Sequence, residues 1–123
     1  MIAVDTCAFS NFLRSVNTSG ARLFEEGLRE GDIVLPPMVL TELISAKNLS
    51  DDDKALVKAI PVITLDESFW LYAGMLRLAA MKRGSKPRTL DTLIAACCLQ
   101  ANTPLITDDS DFRVFKHFGL KLL

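Results

Sequence analysis

Four carboxylates stand in places where packing alone would not put charge. Asp5 closes the apolar run Ile2-Ala3-Val4, and Glu42 interrupts Met38-Val39-Leu40-Thr41-Glu42-Leu43-Ile44. Asp91 falls in the opening turn of Thr89-Leu90-Asp91-Thr92-Leu93-Ile94-Ala95-Ala96. Asp109 belongs to Leu105-Ile106-Thr107-Asp108-Asp109-Ser110-Asp111-Phe112. Two like charges about 4 Å apart repel by roughly 4 kcal/mol at an effective dielectric of 20, so acids brought together call for a counter-cation. A hard divalent ion with oxygen ligands meets that need, and it can also acidify a water and neutralise a phosphate during in-line displacement. The chain holds a single histidine, His117, and no His/Cys cluster of zinc type, which favours Mg²⁺ or Mn²⁺ over Zn²⁺.

Each acid has a plainer reading beside this one. Asp5 can cap the helix that follows it, and Asp91 can be placed by the helix dipole alone. Glu42 can sit on a solvated helix face, and Asp108, Asp109 and Asp111 can be ordinary loop and cap residues. Their joint position near the ends of apolar strand-like runs is what favours a shared site. Nucleophilic catalysis has less support, because Ser10, Ser45 and the three cysteines lack partners with triad logic. A lone histidine near the end of the chain reads as a surface residue.

The elements that would position these acids alternate between short apolar runs and longer periodic ones, an α/β pattern. Strands are predicted at residues 1–4, 33–35, 61–63 and 104–107, with a further edge strand at 120–122. Helices are predicted near 7–13, over Thr18 to Gly31, from Pro37 or Met38 to Ala46, over 50–59, from Asp66 to Gly84, from a Thr89 cap through Cys98, and briefly around 112–115. Aromatic residues Phe69, Trp70 and Tyr72, with Met75 and Leu76, read as core. Strands joined by helices need crossover connections. The expected fold is therefore a three-layer α/β/α sandwich with a mainly parallel, four- to five-stranded sheet, whose binding crevice lies beyond the carboxyl ends of the strands.

With 123 residues, half of them apolar, the chain is expected to form one domain over 1–123 with apolar surface to spare for a partner. A net charge of −1 gives no global pull on nucleic acid, so phosphate contacts must come from a local patch. Met81-Lys82-Arg83-Gly84-Ser85-Lys86-Pro87-Arg88 supplies one just ahead of Asp91. Lys82, Arg83, Lys86 and Arg88 read either as a solvated helix end or as RNA-backbone contacts, and Arg14 and Lys47 are further candidates for a groove. Few cysteines, read as reduced buried thiols, and no run long enough to span a bilayer suggest a cytoplasmic protein without membrane contact.

Taken together, Val4-Asp5-Thr6, Leu40-Thr41-Glu42-Leu43, Leu90 to Ala96 and Leu105 to Phe112 make the whole chain resemble the PIN-domain ribonucleases, and among them the VapC-like toxins of toxin–antitoxin pairs. The resemblance implies an endoribonuclease that hydrolyses RNA phosphodiesters with a metal-activated water, using Mg²⁺ or Mn²⁺ held by Asp5, Glu42, Asp91 and Asp109. It implies supporting roles for Thr6, Thr107 and Asp111 behind those ligands, a small protein antitoxin as partner, and homodimerisation. With three aspartates in four positions, the fourth ligand stays open between Asp109, Asp108 and Asp111. Two other functions fit parts of the pattern: a receiver-like phosphoacceptor domain, and a catalytically inactive PIN scaffold that only binds a partner. The first needs an acidic pair after the first strand, an Asp closing a middle strand and a Lys after a late one. Here Asp5 is alone, Ile63 is followed by Thr64, and Thr107 by Asp108.

Overall fold

Runs of apolar and β-branched residues too short to make a helix form the sheet. In the computed structural model, which describes all 123 residues, strand β1 (Ile2–Val4) lies between β2 (Ile33–Val34) and β3 (Leu105–Ile106), in the order β2-β1-β3. Both pairings are parallel: Ile2 faces Ile33 and Ala3 faces Val34, while Ala3 and Val4 also face Leu105 and Ile106. Successive strand residues point to opposite faces, and Ala3, Val4, Leu105 and Ile106 are all buried, so both faces of the sheet are covered.

Helices α1 (Thr6–Leu13) and α2 (Ser19–Glu30) connect β1 to β2. Helices α3 (Pro37–Ile44), α4 (Asp51–Ala59), α5 (Phe69–Lys82) and α6 (Thr89–Gln100) carry the chain from β2 to β3, and a 3₁₀ helix, Ser110–Phe118, follows. The first crossover steps to one side of β1 and the second to the other. The order of the strands therefore reverses at β1, which is where an open parallel sheet leaves a crevice beyond its carboxyl ends.

Local chemistry sets the helix boundaries. Thr18 caps α2 by accepting from the Ala21 amide at 3.0 Å, and Gly31 ends it in the left-handed region at φ 70°. Ser50 caps α4 by accepting from the Asp53 amide at 3.1 Å. Ahead of α5, Asp66 accepts from the amide and hydroxyl of Ser68 in a local turn, so the helix begins at Phe69, three residues later than predicted. At α6 the cap position is Arg88, with no side-chain capping bond. Thr89 is already helical, which corrects the expected Thr89 cap. The 3₁₀ helix is longer than predicted and ends at Gly119, φ 100°.

The sheet is also smaller than the four to five strands expected. Residues 61–63 and 120–122 each contribute a single parallel bridge, Leu35 with Val62 and Leu105 with Leu122. Missing donors explain both. Leu35 donates to the Pro61 carbonyl and accepts from the Ile63 N–H, so the next donors on either side would be Pro37 and Pro61, which have no N–H. Beside Leu105, the Thr103 N–H is already given to the Cys98 carbonyl at 2.9 Å.

Phe9, Phe24, Phe69, Phe112 and Phe115 fill the core, with the Phe9 and Phe24 rings 4.4 Å apart. Helix α5 departs from the core reading made for its aromatic cluster. Phe69 and Leu76 are buried, but Trp70, Leu71, Met75, Leu78 and Met81 lie on the outside, Leu71 being 72% exposed. Cys97 and Cys98 are buried as expected, whereas Cys7 is exposed. No helix is long and apolar enough to cross a membrane.

Candidate metal centre

Asp5 leaves β1 and turns directly into α1. Its Oδ1 accepts from the Ala8 amide at 2.8 Å, the capping bond that the first helical turn needs. Its Oδ2 accepts from the Thr107 hydroxyl, whose own oxygen accepts from the Asp109 amide at 2.9 Å. One threonine thus ties the carboxylate after β1 to the loop after β3. Asp5 is only 2% exposed, and burial pushes its carboxyl up to about 6. The charges of Asp109 and Asp108 push the same way, against the hydrogen bonds from Thr107 and Ala8.

Glu42 reaches the same place from the middle of α3, where its Oε1 accepts from the hydroxyl of Thr6 on α1. Asp91 enters from the first turn of α6. Burial raises its pKa, as do the charges of Asp109, Asp111 and Glu42, while Arg88 opposes them. Asp5, Glu42, Asp91 and Asp109 line one cleft of about 250 Å³, together with Thr6, Ser10, Arg88 and Cys7. The carboxylates that the sequence scatters over a hundred positions meet there.

Three adjacent aspartates separate cleanly. Asp108 turns away from the cleft. It accepts from Asn11 Nδ2 at 2.9 Å, from the Thr18 hydroxyl at 2.5 Å and from the Gly20 amide at 2.9 Å, stapling α1 to the start of α2. Burial works against its charge, but those three donors outweigh it and hold the carboxyl below the ordinary range. Asp109 caps the 3₁₀ helix by accepting from the Asp111 amide at 2.9 Å, and it also faces the cleft. Asp111 does not line the cleft but lies beside its acids: carboxylate oxygens of Asp91, Asp109 and Asp111 all lie within 4.8 Å of one another. Asp5 and Glu42 share the cleft but belong to no equally tight trio.

The donor set fits a hard divalent cation. All of its ligands are carboxylate oxygens, and neither of the chain's two ion pairs within 4.0 Å, Met1 with Asp32 and Arg29 with Glu25, involves the cluster. Arg88 is the only lysine or arginine lining the cleft. Lys82, Arg83 and Lys86 line neither this cleft nor the groove beside it.

A larger groove of about 480 Å³ adjoins the cleft, with Thr6, Ser10 and Glu42 in both linings. Ser10 was weighed in the sequence only as a nucleophile and set aside, not as a lining residue. Its signal lies in helical spacing, because Thr6, Ser10, Leu13 and Arg14 repeat at three and four residues along α1 and all face this groove. Cys7 was also missed as a cleft residue. Burial raises its thiol pKa, and so does the charge of Asp5, which leaves it a poor nucleophile.

The sequence profile of the PIN domain matches residues 2–117. The chain belongs to the PIN-domain family. No curated protein sequence matches it. Among solved structures, this PIN domain resembles a chain of VapBC2 from Rickettsia felis bound to a promoter DNA fragment, with TM-score 0.75 and 21% identity over 100% of this chain and 98% of that one. VapBC-1 from nontypeable Haemophilus influenzae gives TM-score 0.76 and 21% identity over 100% and 97%. VapBC-5 from Mycobacterium tuberculosis, a toxin–antitoxin family member, gives 0.63 and 20% over 99% and 94%. At these identities the likeness speaks to the fold of the PIN domain, and the chemistry must be argued from its own residues.

Proposed function

We propose that this PIN domain is an Mg²⁺- or Mn²⁺-dependent endoribonuclease, the toxin of a toxin–antitoxin pair acting in the cytoplasm. One observation carries the reading: Asp5, Glu42, Asp91 and Asp109 surround a single cleft, and none has a lysine or arginine ion-pair partner. Asp109 is the fourth ligand in this reading, since Asp108 is committed to three donors on α1 and α2. Asp111 joins as an outer ligand rather than standing behind the others.

When bound, the ion would supply charge against the phosphate and acidify a water. The protein does the positioning. Thr107 and the Ala8 amide fix both oxygens of Asp5, and Thr6 fixes Glu42, so the ligands need little reorganisation. Arg88 neutralises phosphate charge at the cleft. In the proposed hydrolysis a water oxygen bonds to phosphorus as the P–O3′ bond breaks, leaving 5′-phosphate and 3′-hydroxyl ends. A cleft carboxylate takes the water's proton, and the 3′ oxygen is protonated from solvent.

Incubation of purified protein with RNA should give cleavage with Mg²⁺ or Mn²⁺ and none in excess EDTA, and Asp5→Ala should be inactive while folded. Full cleavage by that variant, or in EDTA, defeats the reading. An inactive binding scaffold is the surviving alternative, and calorimetry separates it because such a scaffold takes up no divalent ion specifically.

A small protein antitoxin and a second copy of the chain are the partners this reading includes. The VapBC neighbours support the first. The largely apolar outer face of α5, with Trp70 62% exposed, supports the second.

A further inference from the structure

We propose that the groove beside the acidic cleft binds the flanking stretch of a single-stranded RNA, with Arg14 and Lys47 holding its phosphates. This rests on the endoribonuclease reading and adds where the strand runs. The two cavities meet at a common wall of Thr6, Ser10 and Glu42. Arg88 lines only the cleft, and Arg14 and Lys47 line only the groove. Cations therefore line both cavities, which meet at Glu42.

A strand whose scissile phosphate sits at the carboxylates meets Arg88 in the cleft and Arg14 with Lys47 in the groove. Both groove cations are exposed, and neither has an acidic partner within 4.0 Å, so their charge is free for a ligand. Arg14 is held loosely by one hydrogen bond, donated to Asn11 Oδ1 at 3.1 Å. At about 480 Å³ the groove is the size of a small-ligand pocket, room for on the order of one or two nucleotides. Leu13, Leu43 and Leu49 give it an apolar floor on which a ribose or base can rest. Its one carboxylate apart from Glu42 is Asp53, which works against binding.

Anisotropy of a short fluorescein-labelled single-stranded RNA, titrated with protein in Mg²⁺ at several salt concentrations, tests this. An Asp5→Asn background halts turnover. Each phosphate contact on a single strand contributes about 0.7 to the slope of log K against log salt. Arg14→Gln with Lys47→Gln should weaken binding and flatten that slope by about 1.4, with melting temperature unchanged. Asp53→Asn should tighten binding, and Lys121→Gln, beside the start of β3, should leave it unchanged. An unaltered slope in the double variant overturns the proposal. If wild type cuts RNA while the double variant keeps its slope, only the groove assignment fails. If wild type does not cut RNA and the Asp5→Asn parent does not bind it, the functional reading fails as well.

Discussion

Replacing Asp5 with asparagine keeps the shape of the side chain and removes its charge. The Asn carbonyl oxygen still accepts from the Ala8 amide, and the Thr107 hydroxyl can turn to accept from the new amide. In the metal-free wild type the Asp5 pKa is raised to about 6 from 3.8, so the folded state holds a proton that the unfolded chain has lost between those values. Stability credited to the protonated form is complete below about pH 4 and is lost as pH rises through 6. At about 1.4 kcal/mol per pKa unit, the ionised side chain costs about 3 kcal/mol by pH 7.5. Because Asp5 is almost wholly buried, solvent screens little of that cost. An unfolding entropy of about 2.1 cal/mol/K per residue turns it into a Tm gain of about 10 °C for Asp5→Asn. Scanning calorimetry in EDTA at pH 7.5 should show this gain, and at pH 4 it should vanish. Saturating Mg²⁺ at about a hundred times Kd should return roughly 2.7 kcal/mol to the wild type and little to the variant. A variant that is less stable than wild type in EDTA, or a difference that ignores pH, refutes the reasoning.

Thr107→Val removes both the donor to Asp5 and the acceptor for the Asp109 amide. It should cost about 1–3 kcal/mol in urea unfolding and lower nuclease activity, with Thr107→Ser restoring both. Gly20→Ala places a methyl 2.5 Å from Asp108 Oδ1, so the staple must shift. We expect about 1–3 kcal/mol of destabilisation by chemical denaturation. Leu71→Lys with Met75→Lys puts charge on the outer face of α5. If this face joins two copies, light scattering should show a dimer for wild type and a monomer for the variant, and an unchanged mass removes that role.

Much of this was legible in the sequence where a local rule decides the outcome. Thr18, Gly31 and Ser50 set helix ends by capping chemistry, and the alternation of short and long apolar runs gave a parallel α/β domain. The size of the sheet was not legible, because Pro37 and Pro61 limit pairing only once the partner strands are known, and the Thr103 N–H is lost to the Cys98 carbonyl only in the fold. Helix α5 was misread for a related reason: Trp70 and Met75 share its apolar composition, and composition cannot tell a face packed on a neighbour from one left open. Among the site residues, the meeting of Asp5, Glu42 and Asp91 follows from the order of strands and helices. Separating Asp108 from Asp109 required coordinates, since the donors on Asn11, Thr18 and Gly20 lie about ninety residues away in the chain.

That division of labour between two neighbouring aspartates makes the Thr107–Ser110 loop intolerant of changes in length. Its backbone points consecutive side chains in opposite directions, one toward the junction of the first two helices and the next toward the acids. Deleting Asp108 would conserve nearly the whole composition and yet shift each task by one residue. Asp109 would fall where the staple belongs, and Ser110 would inherit the cleft with a hydroxyl in place of a carboxylate. Such a one-codon loss would leave α2 pinned by a carboxylate and yet disarm the centre.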